Sequence, residues 1–288
     1  MKPGILFALL AVLLSPALGG GAGGAAAPPA DAAIPAGTIL WVGAHPDDEV
    51  LLAPLLGDLC VQRHHRCVLL VATRGEAGAC RLRGGCHPDL ATVRGAELRA
   101  AAAIYHAEVL QGTLPDLFAP DPPGIRRAWA AAVGGEGVLL DRLTRAIDGV
   151  APRTLITFDP RHGSTCHDAH RAIGALALDA VKRLRAFAPA AFLLESRVRI
   201  APGGTSIRFS AALPGDPRAL RYDANTSFRH GPATAWSYLL TDASRQPSQF
   251  DATFLSTLRA IPARQRNVYL LPAGLLGADP TPVDGCIP

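Results

Sequence analysis

The stretch Thr38–Glu49, which reads TILWVGAHPDDE, decides the fold. It begins with a run of β-branched and large apolar residues and ends with Pro and three acids. This pattern is typical of a buried strand that runs into a polar loop, with a helix beginning near Glu49. In open α/β sheets, ligands bind at the carboxyl ends of such strands. The stretch therefore predicts an α/β domain with a site directly after its first strand.

The side chains of this loop suit a hydrolytic metal site. His45 and Asp48 are three positions apart and can both bind a metal at neutral pH, while Asp47 between them supplies a second carboxylate. Two fixed ligands and a spare base are parts of a metal-dependent hydrolase. Alternatively, these side chains are solvated or cap a helix. A third ligand from another strand end would favour the metal site.

A second polar loop supplies candidates for that ligand. The run Thr154–Asp159 is a predicted strand, and Thr165–His170 then opens a helix that continues to Phe187. Thr and Asp at the start of this helix resemble a capping box, which places His167 and His170 in the first turn and on one face. We expect one of these two histidines to complete the metal site and the other to face the substrate.

The chain resembles the PIG-L or LmbE-like N-acetylglucosaminyl deacetylases. The resemblance rests on AHPDDE at Ala44–Glu49, the glycine loop Thr73–Gly78, Arg94 and Glu97 at the head of a helix, His167 and His170, and a weaker match at Pro247–Gln249. It extends from about Thr38 to Leu271. The family commonly has Gly-His-Pro-Asp-His where this chain has CHDAH at 166–170. This departure affects the loop geometry and the substrate contacts near Cys166.

The resemblance implies an enzyme that removes acetyl from an N-acetylated amino sugar, on a small molecule or a glycan. The expected metal ligands are His45, Asp48 and His170, with Asp47 as the general base. His167 would stabilise the oxyanion as an imidazolium or donate to the departing amine, or else cap the helix. Two histidines and a carboxylate suit zinc but also accommodate ferrous iron, cobalt or manganese. Zinc is the expected metal because no redox step is implied.

Three further residues have two interpretations each. Arg94 binds substrate, as the resemblance implies, or pairs with Glu97 on the same helix. Glu76 accepts hydrogen bonds from sugar hydroxyls or shapes the glycine loop. Asp159 orients a histidine from the outer shell of the site or ends its strand.

The N-terminal segment and the cysteines indicate export. Residues 1–20 have the charge, short apolar core and small-residue tail of a secretory signal, 21–37 form a Gly/Ala/Pro-rich linker, and 38–288 form one domain. We expect a periplasmic or extracellular protein without stable membrane insertion. Six cysteines in such a chain favour disulfides. The expected pairs are Cys60 with Cys67, Cys80 with Cys86 and, by elimination, Cys166 with Cys286; the alternative is a zinc site of Cys80, Cys86 and His87.

Alternating strands and helices predict a Rossmann-like, mostly parallel sheet with helices on both faces. Strands are expected at 38–44, 67–73, 108–110, 154–159 and 191–200, and helices at 49–63, 90–106, 137–149 and 167–187. Additional extended segments at 206–213 and 218–222 and two C-terminal helices, one from 238 or 241 and one at 250–261, would follow, with the strands forming an antiparallel edge or a hairpin.

Other functional classes fit less well. The net charge is only +4 and the basic residues are scattered, which excludes a nucleic-acid binder. No glycine-rich turn follows the first strand, so a nucleotide-dependent oxidoreductase is excluded. Two alternatives stay open: an amidase or esterase acting on a non-sugar acyl group, and a non-catalytic carbohydrate-binding protein of the same fold.

Overall fold

The computed structural model describes residues 33–118, 121–196, 198–200, 207–209, 216 and 218–277. The expected signal segment, the linker up to residue 32 and Cys286 lie outside the described residues. Among the described helices, none combines the length and the apolar character needed to cross a membrane.

A seven-stranded mixed sheet forms the centre of the domain. Its strands are β1 (Ile39–Gly43), β2 (Cys67–Thr73), β3 (Glu108–Leu114), β4 (Thr154–Phe158), β5 (Ala190–Leu194), β8 (Leu220–Asp223) and β9 (Asn267–Pro272), while β6 (Val198–Ile200) and β7 (Ile207–Phe209) form a separate antiparallel hairpin. The spatial order is β3-β2-β1-β4-β5-β9-β8. The first five strands in this order are parallel, and β9 and β8 add an antiparallel edge. The α/β class was predicted from the sequence. Of the two additional extended segments, 218–222 contributes β8 to the antiparallel edge, whereas 206–213 contributes β7 to the separate hairpin.

Helices cover the sheet in two groups. The helices are α1 (Ala53–Leu56), α2 (Leu90–Ala102), α3 (Pro122–Val133), α4 (Glu136–Val150), α5 (Gly163–Cys166), α6 (Asp168–Arg183), α7 (Ala235–Ser244) and α8 (Ala252–Ala260). One group consists of α3, α4 and α6, which pack on one another, and α7 packs against α1 and α2. Every residue of β1, β2 and β4 is buried, as expected for central parallel strands.

Several predicted elements were wrong in extent. The continuous helix expected at 49–63 is a 3-10 turn (Asp48–Leu51), the short α1 and a wider π turn (Gly57–Gln62). Pro54 explains the break, since it has no N–H to continue the helix from the preceding turn. Both α3 and β9 were missed; α3 begins with two prolines, which suit a first helical turn but resemble a loop in sequence.

The topology puts the two polar loops next to each other. Because β1 has β2 on one side and β4 on the other, the chain crosses over in opposite directions from β1. The loops after β1 and β4 therefore meet at a topological switch point, where α/β sheets bind ligands.

Two of the three expected disulfides lie within the described residues. The structure contains Cys60–Cys67 and Cys80–Cys86, so the sulfurs of Cys80 and Cys86 are not zinc ligands. Cys166 is disulfide-bonded, and its expected partner Cys286 lies outside the described residues.

Candidate metal centre and active site

Three donor atoms from the two loops form a compact triangle. His45 Nδ1 lies 3.2 Å from His170 Nε2, and Asp48 Oδ1 lies 2.9 Å from His170 Nε2 and 3.7 Å from His45 Nδ1. A tetrahedral metal with bonds of about 2.1 Å needs neighbouring donor atoms roughly 3.4 Å apart. The size and the N/O composition of the triangle therefore fit a divalent metal.

Backbone amides position Asp48 in this triangle. Its Oδ2 accepts hydrogen bonds from the backbone N–H groups of Ala44 at 2.7 Å and His45 at 2.8 Å. This leaves Oδ1 directed towards the two histidines. Burial would raise the pKa of Asp48, but His170 and His45 outweigh it and hold the pKa well below its ordinary value. Asp48 is therefore an ionised carboxylate, as a metal ligand must be.

Asp116 orients His45, and the sequence analysis missed it. Its Oδ1 lies 3.3 Å from His45 Nε2, and its Oδ2 accepts the N–H of Ala77 at 3.0 Å. A proton on Nε2 directed at Asp116 leaves the Nδ1 lone pair for the metal. Burial lowers the pKa of His45, but Asp116 and Asp48 outweigh it and raise the pKa to about 10. The surroundings of His45 thus favour a positive charge at this place.

The loop before α6 fixes the tautomer of His170. Its Nδ1 lies 2.9 Å from the carbonyl oxygen of Gly163 and 3.0 Å from Thr165 Oγ1. Because Nδ1–H donates to the carbonyl, Nε2 carries the lone pair that points into the triangle. Gly163 has a φ of +53°, and a Cβ there would lie 2.7 Å from the Cβ of His170. Only glycine allows this close approach without strain.

Buried ion pairs at the ends of β4 and β5 hold this loop. Arg161 pairs with both Asp159 and Glu195, and His162 Nε2 lies 2.9 Å from Glu195 Oε2. The backbone N–H of Ser164 donates to His162 Nδ1 at 3.0 Å, so the ring proton sits on Nε2 and is donated to Glu195. This cluster has the residue types of a metal site, but its ion pairs already satisfy the acids. Asp159, expected to orient a histidine of the site or to end its strand, directly follows β4 and pairs with Arg161.

Asp47 is a half-buried carboxylate beside the triangle. One of its carboxylate oxygens, a ring nitrogen of His45 and a carboxylate oxygen of Asp48 lie within 4.8 Å of one another. Burial, with a smaller contribution from Asp48, raises its pKa to about 7. The residue has a φ of 144°, and its backbone N–H donates to Glu49 Oε2 at 3.3 Å. A carboxyl group with this pKa can both accept and release a proton near neutral pH.

Glu49 belongs to a buried acid network that also escaped the sequence analysis. The side-chain amide of Gln246 donates to Glu49 Oε1 at 2.7 Å and to Asp242 Oδ1 at 2.9 Å, and the hydroxyl of Tyr105 donates to Asp242 Oδ2 at 2.6 Å. Burial raises the pKa of Asp242 to about 6, and burial together with Asp242 raises the pKa of Glu49. The network holds the Glu49 carboxylate, which accepts the backbone N–H of Asp47.

His167 lies at the triangle as a neutral ring. Its ring centroid is 4.9 Å from those of both His45 and His170. Burial, followed by the two neighbouring histidines, lowers its pKa to about 3, which contradicts the expected imidazolium. The helix starts at Asp168 with His167 as its cap: His167 Nδ1 accepts the N–H of Ala169 at 3.3 Å. The proton therefore sits on Nε2, and the predicted Thr165–Asp168 capping box is absent from this helix start.

Arg94 and Glu97 do not form the ion pair considered as an alternative. Arg94 is buried and donates to the carbonyls of Gly75 at 2.8 Å and Ala79 at 3.3 Å. Glu97 accepts the backbone N–H of Ser248 at 2.8 Å, in the Pro247–Gln249 segment, and also its hydroxyl. Arg94 thus orders the glycine loop and lies at the edge of the site.

Glu76 is exposed, and its Oε1 accepts the backbone N–H of Asp116 at 3.2 Å. It links the glycine loop to the segment that orients His45, in agreement with a loop-shaping role.

A cavity of about 230 Å³ opens onto the triangle. Its lining includes polar groups, namely His45, Asp47, Asp48, Arg94, Asp116, Thr165, His167 and His170, and the apolar side chains Val50, Leu51, Phe118, Phe250, Phe254 and Leu258. A ligand in this cavity contacts the donor triangle and Asp47 together.

Comparison with known proteins agrees with this arrangement. The family model described as PIG-L, GlcNAc-PI de-N-acetylase, matches residues 40–181. This chain carries a PIG-L family domain. The matched residues of the PIG-L domain include both polar loops and therefore the whole donor triangle. No curated protein sequence gives a significant match.

Solved structures share the fold of the PIG-L domain and its C-terminal additions at low identity. N,N'-diacetylchitobiose deacetylase from Pyrococcus horikoshii superposes with a TM-score of 0.57 at 15% identity, covering 87% of this chain and 88% of its own. The zinc-inhibited form of teicoplanin deacetylase Orf2 gives 0.53 at 16%, covering 82% and 98%. GalB, the 4-carboxy-2-hydroxymuconate hydratase from Pseudomonas putida KT2440, gives 0.51 at 15%, covering 77% and 82%. Similarity at this identity establishes the fold.

Proposed function

We propose that this chain is an exported, zinc-dependent hydrolase that removes the acyl group from an N-acylated amino sugar, with the N-acetyl group as the reference substrate. The observation that carries the proposal is the donor triangle of His45, Asp48 and His170 with Asp47 beside it. A divalent metal bound there would supply the Lewis acidity that activates water and polarises the amide carbonyl.

Asp47 is the general base and acid of the proposed reaction. With its pKa raised to about 7, the carboxylate accepts a proton from the attacking water and can return it to the departing amine. An amine leaves an amide only when it is protonated, so both transfers are needed. The fixed backbone of Asp47 keeps its carboxylate beside the triangle during both steps.

His167 supplies a neutral hydrogen-bond donor. Because its Nδ1 accepts the N–H of Ala169, it presents Nε2–H to the cavity. A neutral donor suits a carbonyl oxygen whose negative charge grows during attack. This role differs from the imidazolium expected from the sequence.

The polar wall formed by Arg94 and Asp116 supports binding of a hydroxyl-rich substrate. Arg94 uses one N–H of each terminal nitrogen on backbone carbonyls, which leaves other N–H groups for a ligand. Two of the structural neighbours are described as deacetylases, one of them acting on N,N'-diacetylchitobiose. Together these support an amino-sugar substrate.

Export rests on residues 1–20 and on the cysteines. Disulfides at Cys60–Cys67 and Cys80–Cys86 suit an oxidising compartment, the periplasm or the extracellular medium.

Acetate release tests the function. The protein, supplied with up to one equivalent of zinc, is assayed on N-acetylglucosamine, its oligomers and an acetyl ester. One equivalent is the limit because a structural neighbour is described in a zinc-inhibited form. Acetate from the amino sugars supports the proposal. Release from the ester alone indicates an esterase, and sugar binding without release indicates a non-catalytic protein.

A further inference from the structure

The cavity has a second, apolar side that the deacetylase reaction does not use. Val50 and Leu51 lie two and three positions after the ligand Asp48, and Phe250 and Phe254 pack with ring centroids 4.8 Å apart. Leu258 on α8 completes this group. We call these five side chains the apolar wall. None of them can hydrogen-bond to a sugar hydroxyl.

An exposed phenylalanine extends the apolar lining to the mouth of the cavity. Phe118 is 79% exposed, the highest value among the large hydrophobic residues that the structure describes. It follows Asp116 by two positions and lines the same cavity. An aromatic ring at the mouth of a pocket adds apolar area that a bound ligand can cover.

Only one part of an N-acylated amino sugar, its acyl chain, is suited to contact the apolar wall. Hydroxyl groups placed against the apolar wall would lose their hydrogen bonds to water without replacement. The polar wall of Arg94 and Asp116 can replace them. The acyl chain is the part of the substrate that is both apolar and joined directly to the scissile carbonyl. The apolar wall begins next to the ligand Asp48, where that carbonyl must lie.

We infer that the enzyme prefers an amino sugar whose N-acyl group is an aliphatic chain longer than acetyl, with the chain bound along the apolar wall. This inference rests on the proposed function and specifies its substrate class. A methyl group covers little of a wall built from two phenylalanines, two leucines and a valine. A longer chain displaces water from it, which favours the bound state.

A chain-length series tests the inference. The zinc-loaded protein is assayed on glucosamine carrying N-acetyl, N-butanoyl, N-hexanoyl or N-octanoyl groups, and on the octyl glycoside of N-acetylglucosamine. We expect kcat/KM to rise by about fourfold for each added methylene until the cavity is filled. A flat or falling series overturns the inference. A gain seen only with the octyl glycoside also overturns it and assigns the wall to an aglycone. No release from any of these amides would instead reject the proposed function.

Variants locate the effect on the wall. Phe254→Ala should lower the octanoyl-to-acetyl ratio of kcat/KM, mainly through KM. Leu255→Ala removes an apolar side chain from the same helix that packs on the core outside the cavity lining, and it should leave the ratio unchanged. Phe118→Ala tests the mouth of the cavity. Because Phe118 is exposed, its removal should not disturb folding, and it should reduce the octanoyl-to-acetyl ratio of kcat/KM. Equal ratios in wild type, Phe254→Ala and Phe118→Ala contradict the assignment.

Discussion

Asp116 Oδ1 lies 3.3 Å from Nε2 of His45, on the opposite side of the ring from the donor triangle. The carboxylate and the metal-facing nitrogen are thus joined through one imidazole. This carboxylate–histidine relationship is common behind metal ligands, where it fixes the tautomer and raises ligand basicity. The first prediction follows from it.

Asp116→Ala should weaken zinc binding by about 10- to 100-fold, because His45 loses the acceptor that holds its proton on Nε2. Asp116→Asn keeps an oxygen that can accept this proton and should lose less affinity. A competition titration against a zinc chelator measures both. If the two variants bind zinc as wild type does, Asp116 does not orient His45.

Gly163→Ala should weaken zinc binding and lower stability together. The added Cβ would lie 2.7 Å from the Cβ of His170 and push the ring away from the Gly163 carbonyl. Gly134→Ala is the matched control, since Gly134 also has a positive φ, of +97°, but no atom lies within 4 Å of an added Cβ. The control should lower stability by about 1 kcal/mol and leave zinc affinity unchanged. Equal zinc affinities in both variants would count against the role of the Gly163 carbonyl.

Glu195→Ala should lower the free energy of unfolding by about 3 to 5 kcal/mol, because it removes a buried carboxylate that Arg161 and His162 share. Glu195→Gln keeps an acceptor oxygen and should lose less. Glu108→Ala removes the partner of Arg66 in a surface ion pair and serves as the control with little effect. Urea unfolding measures the free energy of unfolding of the three variants. If Glu195→Ala loses no more stability than the control, the pairing of Glu195 with Arg161 and His162 does not stabilise the fold.

Asp242 should make stability depend on pH. Its folded pKa, about 6, lies above the ordinary value of 3.8. The protonated form therefore favours the folded state, and this contribution is full below about pH 4 and is lost as the pH rises through 6. Asp242→Asn removes the titration, so the difference in Tm between the variant and wild type should move in favour of the variant from pH 4 to pH 8. A difference that stays constant over this range would show that Asp242 does not titrate as described.

Local patterns predicted the fold and identified the residues whose donor atoms converge in the triangle. Two segments, TILWV and TLITFD, are typical of buried strands, and each is followed by a polar loop that contains HPDDE or CHDAH. The carboxyl ends of parallel strands lie at one edge of the sheet, and this rule is enough to place both loops there. The break at Pro54 was missed because the apolar pattern continues across it. The lowered pKa of His167 was not predicted because it depends on burial, which the sequence does not show.

The supporting residues come from distant segments, and this is why sequence reasoning missed them. Asp116 follows β3, which was predicted to end at Leu110 but continues to Leu114. The longer strand would have placed Asp116 at the same sheet edge as His45. Glu195 follows β5 in the same way. Gln246 and Asp242 reach Glu49 only through the packing of α7, for which the sequence offers no short motif.

The proposed reaction requires Asp47 to act as the base beside a metal that it is not needed to hold. Asn has the shape of Asp and tolerates the positive φ of this position. Zinc stoichiometry and acyl release are therefore measured on the same samples of wild type and Asp47→Asn. Both proteins should bind one zinc, and turnover should be at least about 100-fold lower in the variant. Unchanged turnover in zinc-loaded Asp47→Asn would contradict the role of Asp47 as the base.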